Sequence, residues 1–233
     1  RPDRGVIRMK ETSKAIQRRL HDPNFANRYF IGVGLDILGG NDPLGLYNEL
    51  FPKLKSVRAW GPDDGNVQTL ADLKDESFDF VHCVQALARV EDPKQALANW
   101  FRVLKPGGHL VLTLPDEDLY EQGRFPSTFA PGHRWTFTIH KTKSWSPRSI
   151  NLLDTVVRIS PAVEIVKVEL LNATYRYKLP RFDQTLTPTG ESSIELILRK
   201  RPQTELNFGG HSPRPGEVNE KLAGLLTGLP VKR

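Results

Sequence analysis

Two groups of residues in this 233-residue chain have the types and spacing that chemistry requires. The first lies in GLDILGGNDPLG, residues 34 to 45. An apolar run from Phe30 ends in an acid, Asp36, and Gly39, Gly40 and Asn41 follow. A parallel strand ends this way where its carboxyl edge meets a nucleotide-like ligand, because small residues let the loop backbone come close. Leu38 stands in that loop where a tight, ligand-facing turn favours glycine. The second group is Tyr120, His133 and Trp135, in a segment rich in charge, aromatics and turn formers, residues 116 to 145. An imidazole beside a cleft can take the proton of a sugar or phenol hydroxyl, and aromatic rings wall a binding pocket. Cys83 is the single cysteine, so an internal disulfide and a multi-cysteine metal site are excluded. It has no sequence-readable activating partner, and no metal-ligand constellation is visible.

These residues need elements to hold them. YFIGVGLDI reads as a first strand, SVRAW (56 to 60) as a second, cut by the turn GPDDGN, and SFDFVHCVQAL (77 to 87) as a third. His82 and Cys83 alternate along it, so they face opposite sides, and His82 reads as a satisfied interior residue. Asp92-Pro93 opens a helix with Ala96, Leu97, Trp100, Phe101 and Leu104 on one face, stopped by Lys105-Pro106-Gly107-Gly108. HLVLTLP (109 to 115) is the next strand. SPRSINLLDTVVRIS, residues 146 to 160, reads as a helix with Ser146 as N-cap and Pro147 in the first turn. VEIVKVELL (163 to 171) and SSIELILRK (192 to 200) are strands joined without a helical pattern, which favours an antiparallel pair. The order predicts an α/β, Rossmann-like doubly wound and mostly parallel sheet of six or seven strands with a terminal antiparallel hairpin. The chain divides into a basic N-terminal helix or extension (1–28), a main domain (29–200) with a lid or acceptor region at 116–145, and a Gly/Pro-rich tail (201–233) holding one short helix near Glu217 to Leu226.

The net charge of +6 is uneven. Residues 1 to 30 carry eight Lys/Arg against three Asp/Glu, and residues 200 to 233 carry six against three, so the body is slightly acidic. Basic ends of this kind are solvated faces more often than phosphate sites, and no zinc-finger, RRM or KH signature points to nucleic acid. No apolar run approaches the roughly 18 residues that span a bilayer. The start, RPDRGVIRMK, lacks the apolar region of a signal peptide, and a cytoplasmic location is expected.

GLDILGGNDP, SFDFVHCVQALARVEDP and NWFRVLKPGGHLVLTLPDEDLYEQG together resemble class I S-adenosylmethionine-dependent methyltransferases over about residues 29 to 200. A helix ending in R-V-L-K-P-G-G before an apolar strand is the most diagnostic part, and the closing hairpin agrees. The likeness is to compact bacterial members. It implies S-adenosylmethionine as cofactor and a small-molecule or glycan-like acceptor. Asp36 matches the acid that opens the first motif, and Leu38, Gly39, Gly40 and Asn41 match the loop against the cofactor's methionine portion. Trp60 and Gly61 end strand two where a ribose-binding acid belongs. Asn66 falls at the adenine-contacting position, with Val67 beside it, and Cys83, Val84 and Gln85 lie beneath the methyl-transfer position. On the acceptor side the resemblance leaves Tyr120, His133 and Trp135, with His133 as the base.

Three departures mark the cofactor motif. Leu38 replaces a loop glycine. Gly61 replaces the ribose-binding acid, which Asp63 or Asp64 can substitute only if the loop folds back. Leu87-Ala88-Arg89 replaces the common Leu-Glu-His. A buried ribose hydroxyl without a partner costs about 1–3 kcal/mol. The departures favour a second reading beside the enzyme: a catalytically impaired relative, with cofactor binding weakened or lost, that keeps the fold as a binding or assembly module.

Overall fold

The structure is a computed structural model that describes residues 11–207. The tail helix expected near Glu217 to Leu226 lies outside the described residues. The core is a six-stranded sheet. Its strands are β1 (Gly32–Ile37), β2 (Leu54–Trp60), β3 (Phe78–Val84), β4 (Leu104–Pro115), and, after a separate two-stranded ribbon of β5 (Thr136–Thr138) and β6 (Ser149–Asn151), β7 (Val163–Leu171) and β8 (Ser193–Lys200). The order is β2-β1-β3-β4-β8-β7. The first four strands are parallel, and β8 runs antiparallel to both β4 and β7. The mostly parallel sheet and its closing hairpin are therefore as the sequence predicts.

Alternation along the strands sorts side chains between two faces. Leu35, Ile37, Val81, Cys83, Leu110, Leu112, Leu196 and Leu198 join the larger core, which α2 (Pro93–Arg102) covers with Leu97, Trp100 and Phe101. Asp92 caps α2, accepting from the amides of Lys94 and Gln95 at 2.9 and 3.1 Å. The opposite face carries Phe80, Val111 and Ile197 against Phe25, Phe30 and Ile16, the last from α1 (Glu11–Arg19). Among the described residues no helix is long and apolar enough to cross a membrane.

The structure corrects two boundaries. Lys105-Pro106-Gly107-Gly108 does not lie between helix and strand: α2 has ended at Arg102, and β4 begins at Leu104. Gly108 is needed there because a Cβ would come within 2.8 Å of the Asp79 carbonyl. The helix expected over 146–160 is shorter. It is α3 (Leu152–Val156), capped by the Asn151 side chain through the Asp154 amide at 3.1 Å. The Ser146 hydroxyl accepts from the Arg148 amide at 3.3 Å in a turn instead of capping a helix. Ile150 then pairs with Phe137 in the β5–β6 ribbon. Tertiary pairing outweighs local helical preference in those residues. A last helical turn, α4 (Gln203–Asn207), follows β8.

Candidate functional site

The carboxyl edge of the parallel strands carries the loop after β1. Asp36 is buried and looks inward. One carboxylate oxygen accepts from the Leu44 amide at 2.7 Å, and the other bonds His82 Nδ1 at 2.7 Å. Its work is to hold the loop closed. At Gly39 a Cβ would lie 2.8 Å from Pro43 Cα and run into the Asp36 carboxylate, so only glycine fits. Gly40 has φ +54° and open space around its missing side chain. Leu38 has φ 56°, the left-handed region that glycine adopts without strain. Its side chain is half-buried and packs against the larger core. Asn41 is exposed.

His82 is completely buried. Arg19 Nη1 lies 2.8 Å from its Nε2. A guanidinium only donates, so Nε2 accepts and the ring proton sits on Nδ1, facing Asp36. Burial pushes the His82 pKa below its ordinary value against the pull of Asp36, consistent with a neutral ring. Arg19, fully buried, also donates to Glu195 at 3.1 Å and to the Thr113 hydroxyl at 3.1 Å. Burial alone would raise the Glu195 carboxyl, but Arg19, Arg18 and Lys167 outweigh it and bring it down to about 2. The loop is tied to α1 a second way: Asp42 accepts from the Ser13 amide and hydroxyl at 2.8 and 2.9 Å.

At the end of β2, Trp60 is buried, and its Nε1 has no partner among the described residues. The turn after Gly61 does fold back. Asp64 accepts from the Gly61 amide at 2.8 Å, and its carboxylate lies 3.8 Å from where a Gly61 Cβ would stand. An acid thus occupies the end of β2 although Gly61 supplies none. The Asn66 side chain accepts from the amides of Gln68 and Thr69, closing its own turn. The Val67 carbonyl accepts from Trp100 Nε1 at 2.8 Å. Cys83 points into the core, and burial pushes its thiol up to about 12, so it can offer the edge only its backbone. Val84 pairs with Thr113 at the strand's end. Gln85 follows in the left-handed region at φ 61°. Its Nε2 donates to the Ser193 hydroxyl at 2.9 Å, while its buried Oε1 has no partner among the described residues.

Gln85 opens onto a cavity of about 180 Å³ lined also by Glu11, Arg89, Tyr120, His133, Asp183 and Thr185. His133 is buried, its Nδ1 3.1 Å from Glu121 and its ring 5.3 Å from that of Tyr120. Burial pushes the Glu11 carboxyl above its ordinary value; Lys14 pulls it back, and Glu191 and Asp183 add to the rise. The structure thus brings Gln85, Tyr120 and His133 together. Trp135 lines a separate hollow with Asp92, Lys94, Ser149 and Arg158; its Nε1 donates to the Val90 carbonyl at 3.1 Å. Glu11, Glu121, Asp183 and Thr185 were not legible as site residues. Glu11 and the 183–185 segment lie more than 170 positions apart in the sequence, and no short motif joins them. Among the described residues no group of three or more His, Cys, Asp or Glu could hold a metal ion.

A mostly parallel sheet with an antiparallel β8 next to its last parallel strand is the fold shared with solved Rossmann-like methyltransferases, a fold for which S-adenosylmethionine is the cofactor to test against the site. Residues 52–112 match the family model described as a methyltransferase domain. A methyltransferase from Archaeoglobus fulgidus described as S-adenosylmethionine-dependent superposes with a TM-score of 0.52 at 15% identity, over 82% of this chain and 94% of that one. The ubiquinone biosynthesis O-methyltransferase of Alkalilimnicola ehrlichii is 40% identical over 47 residues, which is 20% of this chain and 19% of that protein. An uncharacterized 37.1 kDa protein in transposon Tn4556 of Streptomyces fradiae is 48% identical over 54 residues, 23% of this chain and 15% of that protein. Both matches therefore span less than a fifth of those relatives' lengths.

The residues at the sheet edge fit the implied cofactor. Gly40 and Gly61 leave backbone open to a ligand, Asp64 supplies a carboxylate beside Gly61, and Gln85 carries an unmet acceptor at the neighbouring strand end.

Proposed function

We propose that this chain is an S-adenosylmethionine-dependent methyltransferase whose acceptor, a small molecule or glycan-like group, binds in the cavity beside Gln85, Tyr120 and His133. The supporting observation is one juxtaposition. β1 and β3 are neighbours, with Ile37 opposite Cys83, so their loops leave the same edge. One loop carries Gly39, Gly40 and Asn41; the other carries Gln85, which lines the cavity holding His133. In this reading the glycine loop holds the methionine portion and Asp64 the ribose. Asn66 and Val67 flank the adenine, and the backbone of Cys83, Val84 and Gln85 lies beneath the transferred group. Bound cofactor supplies a methyl group on a positively charged sulfur. The chain's own tasks are then to align the acceptor, exclude water and take the acceptor's proton. Tyr120 walls the cavity and His133 takes the proton. Trp135 braces the segment from the adjoining hollow. The packing of Leu38 against the core and the fold-back of Asp64 support a working site over an impaired one.

Calorimetry with S-adenosylhomocysteine tests this. Wild type is expected to bind in the micromolar range. Asp64→Asn should weaken binding about tenfold, the size of one lost charged hydrogen bond. Ligand at 100 times Kd should add roughly 2.7 kcal/mol to stability, visible as a thermal shift. Absence of binding to the folded wild type sinks the proposal.

A further inference from the structure

We infer that Glu121 is a positioning residue: its carboxylate fixes the His133 ring so that the Nε2 lone pair faces the cavity. This rests on the methyltransferase reading for its use but not for its geometry. Glu121 is 1% exposed, and His133 is the side chain its carboxylate holds, at 3.1 Å. Its other carboxylate oxygen, Oε2, is buried without a partner among the described residues. Arg181 does not neutralise it from behind. That guanidinium donates to the Glu121 backbone carbonyl at 2.9 Å and stacks over Phe129 at 4.2 Å. A buried carboxylate this poorly served is costly to the fold, and removing it from water gains nothing by packing. What it does accomplish is local.

A carboxylate accepts and cannot donate, so the facing ring nitrogen, Nδ1, must carry the proton. In the neutral ring the lone pair is then on Nε2. The main chain holds the ring in place: the His133 amide donates to the Ala130 carbonyl at 2.9 Å, and the Arg134 amide to the Ala88 carbonyl at 2.7 Å. Tyr120 packs on one side of the ring. His82 shows the same logic elsewhere in the molecule, but there Arg19 consumes the second nitrogen; at His133 none of the described residues does. A base so presented serves an acceptor whose nucleophilic atom arrives with a proton, an alcohol, phenol or ammonium group rather than a carboxylate.

The test is nitrogen NMR on protein carrying ¹⁵N-histidine, with the His133 signals assigned by their loss in His133→Gln. In wild type the neutral ring is expected as the Nδ1–H tautomer. In Glu121→Leu, which keeps bulk and removes the acceptor, the tautomer ratio should fall by about tenfold or more toward Nε2–H, as expected for loss of a bond to a charged acceptor. Glu121→Gln, able to accept or donate, should give a mixture and serves if the leucine variant does not fold. A wild-type ring protonated on Nε2, or a ratio unchanged in the folded variants, overturns the inference. Calorimetry with S-adenosylhomocysteine runs alongside. Lost cofactor binding with the expected tautomer would fault the functional reading and leave the positioning role intact.

Discussion

Leu38 shows how a residue that breaks a motif can be accommodated by the loop's backbone. Its left-handed backbone costs roughly 1–2 kcal/mol for a residue with a Cβ. The side chain recovers part of that by packing into the core behind the loop. Leu38→Gly is therefore expected to change S-adenosylhomocysteine affinity by less than about threefold, because the side chain's contacts are with the core. A large gain in affinity on calorimetry would mean the leucine does obstruct the cofactor. Gly61→Asp should weaken binding, since it sets a second carboxylate beside Asp64. Both substitutions look restorative from the sequence. The alternation of His82 and Cys83 was legible there, as was the condition under which Asp64 could serve. That Asp64 meets that condition was not, because it depends on the fold-back of a turn.

At the scale of elements, α1 is a basic helix by sequence, yet its last residue is the most deeply embedded cation of the described chain. Composition reads charge as surface, and only the carboxylate waiting on β8 makes burial tolerable. Arg19→Met removes one partner from a buried pair and should destabilise the protein by about 3 kcal/mol in urea unfolding, less if Arg18 and Lys167 take up the charge. The turn after β4 offers a second test. Asp116 caps it, accepting from the amides of Asp118 and Leu119 at 3.0 Å each. Burial, with Asp118 nearby, raises its carboxyl to about 6. A pKa raised on folding favours the fold at low pH, and that contribution is lost as pH rises through about 6. Asp116→Asn keeps a capping oxygen without the charge. It should stabilise the protein by about 1 kcal/mol at pH 8 and change little at pH 4. Equal effects at both pH values would contradict the buried charge. The 146–160 segment was misread for a related reason. Its partner strand, β5, carries a short alternating run, Trp135 to Ile139, but that run is set within a turn-rich stretch that masks it.

For the molecule as a whole, acid sensitivity follows from two depressed groups. Burial holds His109 down to about 4, with Arg199 and Arg28 adding to it. Glu195 is held at about 2. Each binds protons less readily folded than unfolded, so each contributes stability at neutral pH that is lost on acidification. The loss runs from about 6.5 to 4 for His109 and from about 4.5 to 2 for Glu195. In Asp116→Asn, which removes the opposing contribution of the raised Asp116, the thermal midpoint is expected to fall between pH 6 and pH 3, and a flat profile in that variant would count against the burial of these groups. The central sheet was readable in order and direction, though not at the start of β4, since strand alternation and the helix-free final connection are local signals. The cavity was not, since its walls come from opposite ends of the described chain.

That separation has a consequence for biosynthesis. Lys14, on α1, donates to the carbonyls of Thr185 and Gly190, partners 171 and 176 positions away. β1 to β4 are complete by Pro115 and can pair as soon as they emerge. The contacts that close the cavity wait for the loop before β8, and closing so long a stretch is entropically slow. A nascent chain therefore passes through a stage with a formed glycine loop and no closed cavity. Ribosome-bound intermediates stalled short of residue 185 are predicted to protect β1 and β3 amides from exchange while leaving unprotected the β4 amides that later bond β8.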